Sequence, residues 1–165
     1  MGRGALERSQ DGDLRRSCLT NGMLGMKRNM PSIPLFLTDW EGRRYAVQVV
    51  EDSAQSFEVN LTFGGRYVGR AVSTSRSRYE VEFSDVELEP PYRRKGLGTK
   101  LVKLVITRLR ERGVRHIYGS VPRSALEEFP EIVQWYERLG FKNGERYPVA
   151  VPGAVAYLHL DLLDS

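Results

Sequence analysis

The stretch Val86–Arg112, VELEPPYRRKGLGTKLVKLVITRLRER, decides how the chain folds. Its first residues read as the end of a strand, stopped by Pro90 and Pro91 because neither can donate to a sheet ladder. From Leu97 the apolar residues Leu97, Leu101, Leu104, Val105 and Leu109 recur at helical spacing, with Lys100, Lys103, Arg108 and Arg110 on the other face. Gly113 follows as a C′ residue suited to the left-handed conformation. The loop between strand and helix therefore delivers Gly96 and Gly98 to the first helical turn. Backbone N–H groups there have no partner within the helix and carry the positive end of its dipole. Two glycines let an anion approach those amides closely, and Arg93, Arg94 and Lys95 add cations beside them. Other phosphate loops fit worse. A Walker A loop would need Gly-Lys followed by Ser or Thr, which the chain lacks, and Leu101 stands where a Rossmann fingerprint needs its third glycine.

At 165 residues the chain is long enough for one domain with a sizeable core, and 41% apolar content excludes a disordered chain. No run approaches the roughly 18 apolar residues of a membrane-spanning helix, and the N-terminus has no apolar core of a secretory signal. The single cysteine, Cys18, cannot form an internal disulfide, which suits a cytoplasmic location. The net charge is only +4, but between Pro91 and Arg115 nine Lys or Arg face one acid, Glu111. Such a band favours an anionic partner, leaving a phosphorylated cofactor, nucleic acid and plain solubility open. His116 and His159 are not at metal-ligand spacing, so no metal is expected.

Residues 1–33 hold scattered charge, Gly22, Gly25 and the chain's four methionines, without sustained periodicity, and read as a mobile N-terminal tail. The domain then occupies residues 34–165. Strands are predicted at Pro34–Asp39, Arg44–Val50, Phe57–Phe63, Arg66–Ser73 and Arg78–Glu89, with Trp40–Arg43 and Gly64-Gly65 as turns. Within Arg78–Glu89 the apolar residues change from odd positions (Tyr79, Val81, Phe83) to even ones (Val86, Leu88), which implies a β-bulge near Ser84–Asp85. After the basic helix, Arg115–Val121 is a strand joined to Arg78–Glu89 by a right-handed crossover, so the two are parallel. Ser124–Glu127 has capping-box form, and Pro130 can open a helix that runs to Leu139 and closes at Gly140. Phe141–Tyr147 and Ala154–Leu162 complete the set. The fold class is α+β: a mixed sheet of six to seven strands, antiparallel first and parallel in the middle, flanked by two main helices.

Two motifs combine at this point. Arg93-x-x-Gly96-x-Gly98 after a strand resembles the acyl-coenzyme-A pyrophosphate loop of the GNAT acyltransferase superfamily, and Trp135–Phe141 (WYERLGF) resembles that family's second signature, a helix ending Tyr-x-x-x-Gly-Phe. The order of elements matches as well. The resemblance spans residues 34–162 and implies that the two parallel strands splay to hold the thioester arm of acetyl-CoA. It assigns the backbone at Val86 and Leu88 to the pantetheine, with the Leu88 N–H as oxyanion donor. It assigns Arg93, Arg94, Lys95, Gly96, Leu97, Gly98 and Thr99 to the pyrophosphate. Tyr136 falls on the family's thiolate-protonating tyrosine. Glu82 falls, counting back from Arg93, where histone-modifying members carry their general base. It shares the parity of Val86 and Leu88; Asp85 and Glu87 are its rivals.

The resemblance thus implies an N-acetyltransferase acting on an amine, small-molecule or protein, by direct transfer and without a metal or membrane. A homodimer is compatible with it. Most members place two helices between their first two strands, whereas Trp40–Arg43 alone separates them here; either those helices are absent and leave an open groove, which suits a peptide or protein amine, or residues 1–33 replace them. Two other readings compete. A non-catalytic acyl-CoA sensor needs the loop but not Glu82 or Tyr136. An RNA- or nucleotide-binding domain would use the basic helix, but that band has few aromatics interleaved.

Overall fold

The computed structural model describes residues 35–52, 56–144 and 151–162, with the backbone alone for residues 51 and 52. The expected tail, residues 1–33, lies outside the described residues, as does the end of the expected strand Phe141–Tyr147.

An antiparallel meander fills the first half: β1 (Leu35–Thr38), β2 (Arg44–Asp52), β3 (Ser56–Phe63), β4 (Arg66–Ser75) and β5 (Glu80–Leu88). Alternation makes these strands. In β3, Phe57, Val59 and Leu61 are buried while Glu58, Asn60 and Thr62 between them are half-exposed. Gly64 and Gly65 supply the two positive φ angles (57° and 77°) that the tight β3–β4 hairpin requires. After a 3-10 turn at Pro90–Tyr92, helix α1 (Leu97–Glu111) crosses to β6 (His116–Pro122), which pairs parallel to β5. Helices α2 (Arg123–Glu128) and α3 (Ile132–Arg138) then lead to β7 (Lys142–Asn143) and β8 (Ala154–Asp161). The sheet order is β1-β2-β3-β4-β5-β6-β8-β7. Among the described residues the sheet thus has eight strands rather than six to seven, each overlapping one of the eight expected runs, and the two-residue β7 joins it by pairing with β8.

The helices depart from expectation in detail. On α1 the buried residues are Leu97, Leu101, Val102, Val105, Ile106 and Leu109, while Leu104 is half-buried. The apolar stripe is therefore wider than the five expected residues, and each such burial contributes about 1.5–3 kcal/mol. Helix α2 begins at Arg123 with Pro122 as its N-cap and no side-chain cap, so Ser124 lies inside the helix instead of capping it. Helix α3 is shorter than Pro130–Leu139. Both α1 and α3 end as expected on glycine. Gly113 and Gly140 have φ of 80° and 97°, and Val114 N–H donates to Leu109 O as Phe141 N–H does to Tyr136 O. That is the Schellman arrangement, in which the residue after the glycine also packs on the last turn.

The centre of the sheet forks. β5 and β6 pair only from Glu80–Phe83 to His116–Gly119. Beyond this β5 continues to Leu88 against β4 alone, and β6 continues to Pro122 against β8 alone. The fork follows a bulge: Phe83 pairs with Ser73 and Asp85 with Val72, leaving Ser84 as the extra residue. A bulge bends its strand and increases the local twist, which turns β5 away from β6. Among the described residues no helix is long and apolar enough to cross a membrane.

Candidate active site

The loop between β5 and α1 adopts two left-handed residues, Arg94 (φ 60°) and Gly96 (φ 79°). Gly96 is the N-cap of α1; no side chain caps the helix, and its first turn holds no acid. Amides at Leu97, Gly98 and Thr99 therefore keep the positive end of the dipole free of a protein carboxylate. A Cβ at Gly98 would sit in ordinary contact, 3.6 Å from Trp135 and 3.7 Å from Leu88, so this glycine marks where the helix start passes between α3 and the end of β5. Trp135 Nε1 donates to Thr99 Oγ1 at 3.0 Å, tying α3 to the same turn.

The three loop cations have distinct partners. Arg93 Nε donates to the Leu88 carbonyl at 2.7 Å, and its Nη1 pairs with Glu128 at 2.5 Å, which straps the end of β5 to α2. Arg94 pairs with Glu131 at 2.5 Å, yet its side chain is 69% exposed. Glu131 is held below its ordinary value by a hydrogen bond from its own backbone, opposed by burial and helped by Arg94. Lys95 lies 3.6 Å from Glu41.

These elements enclose a cavity of about 710 Å³. The forked part of β5 (Asp85, Val86, Leu88) forms one wall, Trp135 and Tyr136 of α3 another, and the loop glycines its end. Glu89 N–H donates to Val68 O on β4 at 2.9 Å. Because amide directions alternate along a strand, the N–H groups of Val86 and Leu88 point the other way, into the fork.

Tyr136 stands with its ring 4.6 Å from Trp135 and 5.3 Å from Phe141. Burial pushes its phenol well above the ordinary value, and the charge of Asp85 pushes in the same direction. The Tyr-x-x-x-Gly-Phe pattern thereby has a physical reading: the glycine turn brings Phe141, 3% exposed, back under Tyr136.

The carboxylates fall differently from the parity count. Cross-strand partners share a face, so Glu82 (opposite Thr74) and Asp85 (opposite Val72) lie on one face while Val86 (opposite Ala71) lies on the other. Glu82 therefore does not share the face of Val86 and Leu88, because the bulge shifts the alternation by one. It sits where β5 is still zipped to β6, opposite Tyr118, and pairs with Arg76 at 2.5 Å; it does not line the cavity. Asp85 and Glu87 do line it, and Arg70 holds Asp85 at 3.2 Å.

Trp40 also lines the cavity, from the turn between β1 and β2. No local signal pointed to it, since its neighbour Gly96 is 56 positions away. His116 is engaged by Asp161 at 2.7 Å. Among the described residues no three His, Cys, Asp or Glu side chains gather as metal ligands.

The model of the acetyltransferase (GNAT) family matches residues 27–141, well over half of the chain, so the chain belongs to that family. With membership comes the class of chemistry, acyl transfer. Among solved structures, the GNAT domain of S. lividans PAT is 12% identical, with a TM-score of 0.65 over 78% of this chain and 97% of that one. A GNAT family acetyltransferase from Elizabethkingia anophelis, solved with acetyl-CoA bound, is 12% identical, with a TM-score of 0.57 over 72% and 98%. The PaiA N-acetyltransferase of Thermoplasma acidophilum, solved in complex with coenzyme A, is 15% identical, with a TM-score of 0.53 over 65% and 61%. At such identities the likeness is one of fold. No curated protein matches the sequence.

Proposed function

We propose that the protein is an N-acetyltransferase that moves an acetyl group from acetyl-CoA directly to an amine. One observation carries this reading: the fork between β5 and β6 and the uncapped start of α1 open into the same cavity. The residues present fit acetyl-CoA. Loop amides with Arg94 and Lys95 suit a diphosphate, and the outward-facing amides of Val86 and Leu88 suit the amide-bearing arm. Acetyl-CoA supplies the activated acyl carbonyl; the chain supplies orientation, charge stabilisation and protons.

An acceptor amine of lysine type has a pKa of about 10.4 and must lose a proton before it can attack. Asp85 is the carboxylate we assign to this, acting directly or through water, because it stands at the fork and lines the same cavity as Tyr136. The Leu88 N–H is aimed to stabilise a developing oxyanion. Tyr136 holds its proton at Oη at neutral pH and is the donor for the departing thiolate. Among the described residues no cysteine lines the cavity, and none lies near the loop in sequence, which favours direct transfer over a thiol-bound intermediate. No helix intervenes from β1 to β5 among the described residues, and an acceptor side without such walls favours a peptide or protein amine.

Thermal unfolding with and without acetyl-CoA tests binding; a ligand at a hundred times its Kd adds about 2.7 kcal/mol. Release of free thiol with a panel of amines and peptides then tests transfer. Absence of any shift with acetyl-CoA or coenzyme A overturns the reading, and binding without thiol release for any acceptor reduces it to a sensor.

A further inference from the structure

We propose that Trp40 is the platform on which the purine base of the acyl donor stacks, which makes the β1–β2 turn a nucleotide subsite. The inference rests on the acyl-CoA reading of the cavity.

Trp40 is 75% exposed, far more than any other large apolar side chain described. Exposure of an indole is usually a sign of a loose loop, yet this turn is fixed from below. Asp39, only 4% exposed, accepts hydrogen bonds from Glu41 N–H (2.9 Å), Arg43 N–H (2.9 Å) and Tyr45 Oη (2.8 Å). The turn is also fastened to the phosphate loop. Trp40 N–H donates to the Lys95 carbonyl at 3.1 Å, Glu41 pairs with Lys95, and Lys100 Nζ donates to the Thr38 carbonyl. Its indole lies directly against Gly96: a Cβ built there would run into the nitrogen edge of the ring. Gly96 thus serves two constraints, a positive φ and the seat of Trp40.

The position on the loop indicates which part of a donor would meet the ring. Gly98 adjoins Leu88 and Trp135, on the side of the fork, whereas Gly96 adjoins Trp40. A donor whose thioester arm enters the fork and whose diphosphate lies on the loop can leave past Gly96 on the Trp40 side, and what leaves there is the 3′-phosphoadenosine. A rigid, exposed indole beside a phosphate cradle offers a π-face to any base. Keeping it in water has a cost that stacking recovers.

Titration calorimetry of wild type, Trp40→Ala and Trp40→Phe with acetyl-CoA and with S-acetyl-4′-phosphopantetheine, which lacks the adenosine 3′,5′-bisphosphate portion and so the base, tests this. Trp40→Ala is expected to raise the Kd for acetyl-CoA about tenfold or more, and Trp40→Phe less than about threefold, because a phenyl ring still stacks. Neither variant should change the Kd for the truncated donor. Equal weakening toward both donors, or unchanged acetyl-CoA affinity in Trp40→Ala, overturns the subsite. If wild type binds neither donor, the acyl-CoA reading itself falls, and that failure is visible before any variant is measured.

Discussion

From Val81 to Phe83, β5 is paired on both edges; from Asp85 to Leu88 it keeps only β4. Glu82 and Asp85 lie three residues apart on the same face of this one strand. The first pairs with Arg76 over the zipped half, and the second stands at the fork, lining the same cavity as Tyr136. The chemistry of the side chains is nearly the same. What separates them is Ser84, whose insertion bends the strand and frees its edge amides. An acid's candidacy for catalysis here depends on which side of a backbone irregularity it falls.

Deleting Ser84 attacks the difference itself. The pairs Ser73–Phe83 and Val72–Asp85 would then be consecutive in a regular ladder, and β5 would run straight beside β6. Acetyl-CoA should lose its stabilising effect on thermal unfolding, about 2.7 kcal/mol at a hundred times Kd, in a protein that still melts cooperatively. Retention of the full ligand shift would show that the bulge does not hold the fork open.

A paired comparison comes next. Asp85→Asn is expected to lower kcat about a hundredfold or more, the scale of a lost general base, while Glu82→Gln stays within about threefold. The reverse ranking in steady-state assays would return the role to Glu82. Tyr136→Phe should lower kcat by a similar or somewhat smaller factor with little change in acetyl-CoA affinity. Since burial and then Asp85 raise the phenol, wild-type kcat should show no descending limb from this group below about pH 10.

The smallest effect concerns the support beneath the loop. Burial, then the hydrogen bond to Asp39 and its charge, raise the Tyr45 phenol from 10.0 to about 12. The folded state thus holds this proton more tightly than the unfolded one. The stability it contributes is complete below pH 10 and is lost as pH rises toward 12. Tyr45→Phe should make the alkaline fall in melting temperature shallower; an unchanged slope would remove Tyr45 from the account.

Local patterns carried most of the site into view. Leu97 to Leu109 announces α1, Gly113 and Gly140 announce the ends of α1 and α3, and the switch of parity between Phe83 and Val86 announces the bulge. Each depends on residues within a turn or two of one another, where propensity and periodicity act directly. The Arg93–Gly98 loop and the Trp135–Phe141 pattern are legible for the same reason. Ser124 misled because Pro122, fixed in an extended conformation, starts the helix two residues earlier.

By itself, then, the sequence determined the strand–loop–helix unit, the crossover to a parallel neighbour and the presence of an irregularity at Ser84–Asp85. Tertiary structure alone decided that Asp85 rather than Glu82 borders the cavity, that Arg93 straps β5 to Glu128, and that Trp40 rests on Gly96. Those contacts join residues far apart in the chain, and their partners are chosen by the register and twist of the whole sheet, which no local window of sequence encodes.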